Sequence, residues 1–390
     1  MFGIWRLEIG FFCELMSTFI ISCGGTGGHL SPGISLAEGL RERGHDALLL
    51  ISQKKVDARL SEKYPQLRFE RMPGRGFSLN PIKLVQCAVS QISALFFCLR
   101  LMRRTQADGV VGFGGFTSAP VVFAAWLLGI PAALHESNRI PGLATRTLGR
   151  LAQRVYLPPG IRIPGIRAAV TRHVGLPVRR EIVRHSQSAA RTKLGLDPNQ
   201  RLLLILGGSQ GASALNDWAR GRLDAFAAEG IQLYVVTGLG KGQECVEERK
   251  SKHGALVRSL FVPFSDQMAE LMSAADLVVS RAGAGTLAEL IRCETPAILV
   301  PYPHAADDHQ RANAAYFERQ GGGVVVAQNQ LALLHNEVMD VIFNDWLLRK
   351  FRSNLRRMDR ANSLDLMLSD LEQIAGADAN DADEPQLLTA

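Results

Sequence analysis

Short aliphatic runs alternate along this chain with stretches in which apolar positions recur every three to four residues. The first run, Phe19 to Cys23, enters Gly24-Gly25-Thr26-Gly27-Gly28-His29, and a periodic stretch follows from Ser31-Pro32 to near Gly44. Ser31 suits a helix cap, Pro32 the first helical position and Gly44 the exit, so the order predicts strand, glycine loop, helix. Residues 201 to 212 repeat the plan: Arg201 to Leu206 as a buried strand, Gly207-Gly208-Ser209-Gln210-Gly211-Ala212 as the loop, and a helix around Leu215 to Phe226. Later runs at Leu233 to Thr237, Leu256 to Val262, Leu277 to Ser280, Ala297 to Val300 and Gly323 to Val326 alternate with amphipathic stretches. Strands alternating with helices predict parallel sheets covered on both faces. The expected fold is therefore α/β, with two doubly wound, Rossmann-like domains. The junction is expected near Gly175 to Arg180, which divides the chain into an N-terminal extension (1–16), a first domain (17–178), a second domain (179–374) and an acidic tail (375–390) expected to be disordered.

Composition supports folding and excludes a single small module. The 390 residues are 47% hydrophobic and 21% charged, enough to build two cores. Six cysteines are scattered without a Cys-x-x-Cys pair, which fits a reducing compartment better than a disulfide framework or a zinc site. The net charge of +7 is unevenly spread: residues 1–180 hold 23 Lys/Arg against 10 Asp/Glu, and the remainder holds 21 against 27. An anionic partner is expected on the first half. The uncharged stretch Gly109 to Leu134 contains five glycines and two prolines and reads as strand, turn and helix, not as a membrane span. Phe77 to Arg104 carries more apolar positions than one buried face needs and is bordered by Lys83, Arg100, Arg103 and Arg104. Such a segment can lie on an anionic bilayer without crossing it; the blander reading is a core helix with a solvated basic end.

The glycine loops narrow the chemistry. A glycine turn between a parallel strand and a helix brings backbone N–H groups to an anion at the positive helix end. Neither G-x-G-x-x-G nor G-x-x-x-x-G-K-[ST] is present, which lowers dehydrogenases and P-loop enzymes. A third loop, Ser280 to Glu289, has the same strand, turn, helix order. Glu289, expected in the first helical turn, either complements the helix dipole or accepts both hydroxyls of a ribose. Gln310 and Asn313, three residues apart, share a helical face and are candidates for sugar hydroxyls. His304, Asp307, Asp308 and His309 lack a second cluster with ligand spacing, so no metal is expected.

The combined motifs resemble the MurG type of glycosyltransferase, family 28, which moves N-acetylglucosamine from UDP onto the lipid-linked muramyl-pentapeptide precursor of peptidoglycan. The resemblance rests on GGTGGHLSPG from Gly24, GFGGFTSAP from Gly112, HESNRIPG from His135, GLPVR from Gly175, GGSQGA from Gly207, SRAGAGTLAEL from Ser280 and PYPHAADDHQRANA from Pro301. It implies a GT-B fold whose sheets face a central cleft, with acceptor on the first domain and UDP-sugar mainly on the second. It implies donor-binding roles for Thr26, Gly27, Gly28, Asn138, Arg179, Ser209, Ser265, Ala284, Gly285, Thr286, Leu287, Ala288, Glu289 and Gln310. His29 is the candidate general base, against the alternative of a loop histidine that bonds backbone or phosphate. Ser137, Leu176, Thr145 and Phe116 depart from the family's usual residues. The implied substrates are UDP-N-acetylglucosamine and the lipid-linked acceptor, with no cofactor and no nucleic acid partner, on the anionic cytoplasmic face of a bacterial membrane. Two other readings stay open: a soluble UDP-sugar enzyme of the same fold, such as a 2-epimerase, and a silent nucleotide-sugar-binding module.

Overall fold

The computed structural model describes residues 16–25, 27–53, 57, 61–74, 81–207, 212–360 and 362–381, with the backbone alone at 27, 81–84 and 377–381. The first sheet is built from β1 (Thr18–Ser22), β2 (Asp46–Ile51), β3 (Arg68–Arg71), β4 (Gly109–Gly112), β5 (Ala132–His135), β6 (Arg154–Leu157) and β7 (Thr171–His173). Its order is β3-β2-β1-β4-β5-β6-β7, parallel throughout. The second sheet contains β8 (Arg201–Leu206), β9 (Ile231–Val236), β10 (Cys245–Lys250), β11 (Leu256–Val262), β12 (Leu277–Ser280), β13 (Ala297–Leu299) and β14 (Gly323–Val325) in the order β10-β11-β9-β8-β12-β13-β14. Only β10 runs antiparallel, as an edge strand beside β11. Strand order reverses between β1 and β4 and again between β8 and β12, and ligands of doubly wound sheets bind at such switch points.

The central strands are aliphatic on both faces because both faces are covered. Leu202 to Ile205 of β8 are fully buried, so successive side chains feed two different cores. Each sheet is sandwiched in the same way, and the first sheet has cores around Ile21 and around Ile20.

Three expectations are corrected. The first helix spans Gly27–Glu42, one turn earlier than Ser31 and Pro32 predict. Pro32 is therefore internal, where it has no N–H to offer the Gly28 carbonyl. The helix around Leu215 to Phe226 is two helices, Ser213–Gly221 and Leu223–Ala228. The last helix, Ser363–Asp381, continues past residue 374 and packs on the first sheet, not the second. Met367, Leu368 and Leu371 sit in the first domain's core, and the Asp370 carboxylate accepts from Arg154 Nε (2.9 Å) and the Tyr156 hydroxyl (2.9 Å). Residues 363–374 thus pack with the first domain, whose core takes up their apolar face. Residues 1–15 of the expected extension and the tail beyond Asp381 lie outside the described residues.

Candidate functional site

The loops that leave the carboxyl ends of β1, β4, β5, β12 and β13 converge between the domains. In the first domain, Gly24-Gly25 is packed so closely that a Cβ on Gly24 would stand 2.3 Å from the Ser52 backbone nitrogen. Asp57 anchors this loop: its buried carboxylate accepts from Gly25 N (2.9 Å), Ser52 N (3.1 Å) and Ser52 Oγ (2.5 Å). His29, in the first turn of Gly27–Glu42, lies over the Gly114-Gly115 turn that opens the helix Gly115–Leu128. Both glycines have positive φ (87° and 72°), and a Cβ on Gly115 would come within 3.3 Å of the His29 ring. The imidazole is thereby placed at the β1/β4 switch point.

Across the cleft, the helix Ala284–Arg292 points its N-terminus at that of Gly27–Glu42, and a Cβ on Gly285 would lie 3.8 Å from Gly28 Cα. Two positive helix ends converging on one gap make an anion site that no side chain need enter. Gly27, Gly28, Ala284, Gly285 and Thr286 are thus brought together, while the side chains of Leu287 and Ala288 support the helix, Leu287 from the core. Thr26 and Ser209 lie outside the described residues.

Glu289 stands in the second helical turn, not the first, where the dipole reading loses its force. Its Oε1 accepts from Arg179 Nη2 at 3.2 Å. Arg179 Nη1 meets Glu181 Oε1 (3.2 Å) and the Tyr64 hydroxyl (3.4 Å), and its Nε is buried with no hydrogen-bond partner. Burial pushes the Glu289 carboxyl above its usual range, with Arg179 pulling it partly back. Burial also disfavours the Arg179 charge, but Glu289, Tyr64 and Glu181 outweigh it and hold its pKa high.

A clasp joins the domains beside this pair. Asn313 Oδ1 accepts from Arg139 N (2.9 Å), while Asn313 Nδ2 donates to Asn138 Oδ1 (3.1 Å) and to the Ala282 carbonyl (3.1 Å). Asn313 is only 3% exposed, with both amide hydrogens and the amide oxygen bonded to protein, so its expected role as a sugar ligand is corrected to one of positioning. Gln310 Oε1 accepts from Tyr302 N (2.9 Å), and Ser265 Oγ accepts from Gln267 N (3.2 Å) in a local turn. Glu136 organises the loop that bears Asn138, accepting from Asn138 N (2.9 Å), Gly142 N (2.7 Å) and Thr145 Oγ1 (3.1 Å). Thr145 therefore has a structural use where the family's usual residue differs. Asp57 and Glu136 were missed in the sequence; only their neighbours carried a signal. Among the described residues no three of His, Cys, Asp and Glu gather as a metal site.

The membrane-facing expectation meets a defined surface. The helix Pro81–Thr105 exposes Val85, Val89, Ile92 and Phe96, spaced as one helical stripe, while Ala94, Cys98, Leu101 and Met102 pack inward. Its neighbour Gly115–Leu128 exposes Trp126 and Leu127 and stacks Phe123 on Trp126 at 5.5 Å. Val85–Thr105 is long and apolar enough to cross a bilayer, yet its inner face belongs to the core. Arg100 and Arg103 are exposed, Arg104 pairs with Glu70, and the side chain of Lys83 lies outside the described residues.

Two parallel-sheet domains closing on a cleft lined by helix N-termini define a sugar-nucleotide transferase of the GT-B type. The glycosyltransferase family 28 N-terminal domain matches residues 19–157, and the family 28 C-terminal domain matches residues 202–359. The chain belongs to glycosyltransferase family 28. An Opitutus terrae protein named UDP-N-acetylglucosamine--N-acetylmuramyl-(pentapeptide) pyrophosphoryl-undecaprenol N-acetylglucosamine transferase is 62% identical, covering 92% of this chain and 95% of its own. A Prochlorococcus marinus protein of the same name is 35% identical over 94% and 97%. Among solved structures, MurG of Acinetobacter baumannii aligns with a TM-score of 0.69 at 24% identity, covering 92% of this chain and 99% of its own. The calicheamicin glycosyltransferase CalG4 aligns at 0.66 with 14% identity, covering 93% and 99%. These two likenesses concern the fold.

Proposed function

We infer that this enzyme transfers N-acetylglucosamine, with inversion, from UDP-N-acetylglucosamine to the muramyl 4-hydroxyl of undecaprenyl-pyrophosphoryl-N-acetylmuramyl-pentapeptide. The observation that carries this reading is the 62% identity, over nearly the whole of both chains, to the Opitutus terrae transferase. The cleft supplies what such a transfer needs. Ribose hydroxyls would take the Glu289 carboxylate. The diphosphate would take the two facing helix N-termini and Arg179, whose free Nε is an unused donor. Stabilising the departing diphosphate is the electrostatic part of the catalysis. His29, at the switch point of the first domain, would accept the proton of the attacking hydroxyl. Gln310 would read the sugar, and Asn313, through Asn138, would keep the first domain's loop against it.

The same reading places the enzyme peripherally on the cytoplasmic face of the membrane. The Val85, Val89, Ile92 and Phe96 stripe, with Trp126 and Leu127 beside it, would enter the headgroup region, and Arg100 and Arg103 would meet anionic lipid. Each such cation contributes about 1 kcal/mol.

The test is incubation with UDP-N-acetylglucosamine, with and without the lipid-linked acceptor. Acceptor-dependent UDP release with formation of the disaccharide lipid is expected. Acceptor-independent conversion of the sugar would make the protein an epimerase, and neither product would leave a binding module.

A further inference from the structure

The second domain carries a cavity of about 330 Å³ at the opposite end of its sheet from the cleft, where the chain enters β12 and β13. Its walls come from residues 184–187, the end of the helix Met268–Ala274, the turn Cys293 to Thr295, and Arg352 on the helix Asp345–Met358. The helix Ala284–Arg292 spans the domain between the two places, with its N-terminus in the cleft and its C-terminus at the cavity.

The charges around this cavity do not balance. Asp276 is already bonded to Arg191 Nη2 (2.6 Å), Arg201 Nη1 (3.2 Å), Gln187 Nε2 (3.3 Å) and Leu202 N (2.8 Å). Glu294, which lines the cavity, is covered by Arg184 Nη1 (2.5 Å) and by Arg356 through Nε (2.9 Å) and Nη2 (2.8 Å). Asp345 is bonded to Arg201 Nη2 (2.6 Å). Arg352 is left over: half-buried, it has no hydrogen bond and no ion pair among the described residues. Burial, partly countered by Asp276, and the guanidiniums of Arg184, Arg191 and Arg201 pull its pKa down. A desolvated cation among other cations is costly unless an anion joins it. The remaining walls suit a polar guest, with Ser186 at the rim and Cys293 present as a neutral thiol, since burial pushes its pKa up to about 12.

We propose that this cavity is a second ligand site, which binds a small phosphate-class oxyanion through Arg352 with Arg184 and the Ser186 hydroxyl. Its volume is at the small end of ligand pockets, which fits a diphosphate or a phosphorylated small molecule and excludes a sugar nucleotide. The Arg352 guanidinium, with five N–H donors and none used, would bind such a ligand bidentately.

The experiment uses the full chain saturated with UDP, so that the cleft is filled, and titrates inorganic pyrophosphate by calorimetry. Wild type is expected to bind. Arg352→Gln is expected to bind at least about tenfold more weakly, since it loses the charge-assisted bonds of the guanidinium, and Arg352→Lys to fall between the two, since it keeps the charge and loses the bidentate fork. Turnover without added anion should match wild type in both variants, which also shows that they fold. Vesicles of phosphatidylglycerol form a parallel arm. Weaker vesicle binding by Arg352→Gln assigns the oxyanion to a lipid headgroup, and unchanged vesicle binding with lost pyrophosphate binding assigns it to a soluble phosphate. The proposal is overturned if neither probe distinguishes the variant from wild type, or if pyrophosphate fails to bind and vesicles bind all forms alike. Because the comparison reads binding and not transfer, its failure is separable from failure of the proposed activity.

Discussion

Glu289 is held by Arg179, so on the proposed reading a sugar donor entering the cleft would have to divide the pair, ribose competing for the carboxylate and diphosphate for the guanidinium. Glu289→Gln is expected to weaken UDP and UDP-N-acetylglucosamine together, by roughly 1.5–3 kcal/mol in titration calorimetry. An unchanged UDP affinity in the folded variant would leave Glu289 as a structural partner of Arg179 alone. His29→Ala should lower turnover by about 10²-fold or more while UDP affinity stays within a few-fold; equal loss of both would remove the base assignment. A neighbouring histidine gives a stability prediction with a defined sign. His135 is fully buried, bonded through Nε2 to the Gly175 carbonyl (3.3 Å), and burial pushes its pKa down to about 4. The unfolded chain protonates this side chain near pH 6.5 and the native chain does not, so its contribution is intact above that pH. It is lost as pH falls toward 4, by up to about 3 kcal/mol. Chemical denaturation across that window should show a steeper decline for wild type than for His135→Gln, and parallel declines would refute the assignment.

At the scale of elements, the sequence was most legible where one pattern dictated one outcome. The run Arg201 to Leu206 could only be a strand covered on both faces, and it is β8. The start of the first helix was misread because proline favours the first helical position. Here Gly27 and Gly28 begin the helix earlier, where the absence of side chains lets it approach Gly285 across the cleft. β10 gave no signal: Cys245 to Lys250 is a charged, largely exposed edge strand with no core face to impose alternation. Asp57 was equally silent, since it stands among Lys54, Lys55 and Arg59 and only its burial sets it apart. The stripe on Pro81–Thr105 was legible as an excess of apolar positions, and its geometry now selects the residues to change. Ile92→Asp with Phe96→Asp should reduce flotation with anionic vesicles by about tenfold or more, because each exposed side chain forfeits its apolar transfer. The melting temperature should hold, since both side chains face outward; retained flotation would move the docking face elsewhere.

At the scale of the molecule, the least legible feature was the return of the last helix to the first domain. Periodicity shows that Ser363–Asp381 has an apolar face, but nothing in a linear pattern says which sheet will cover it. Leu371 is fully buried in the first domain's core, so Leu371→Ala should destabilise the protein by about 2–5 kcal/mol, measured by denaturant unfolding. A loss well below this range would mean that the helix is only loosely seated. The return has a mechanical consequence. The chain passes between the domains twice, once near Gly175 to Arg180 and once between the helices Asp345–Met358 and Ser363–Asp381, and Gly175 N bonds to Ser363 Oγ at 2.9 Å. A body tethered at one point can swing and twist in every direction, whereas one tethered by two adjacent strands is confined to rotation about the line through them. On the proposed reading, an opening that admits a nucleotide would part the Asn313 clasp and turn about that axis, and the same arc would bring His29 and Glu289 back into register.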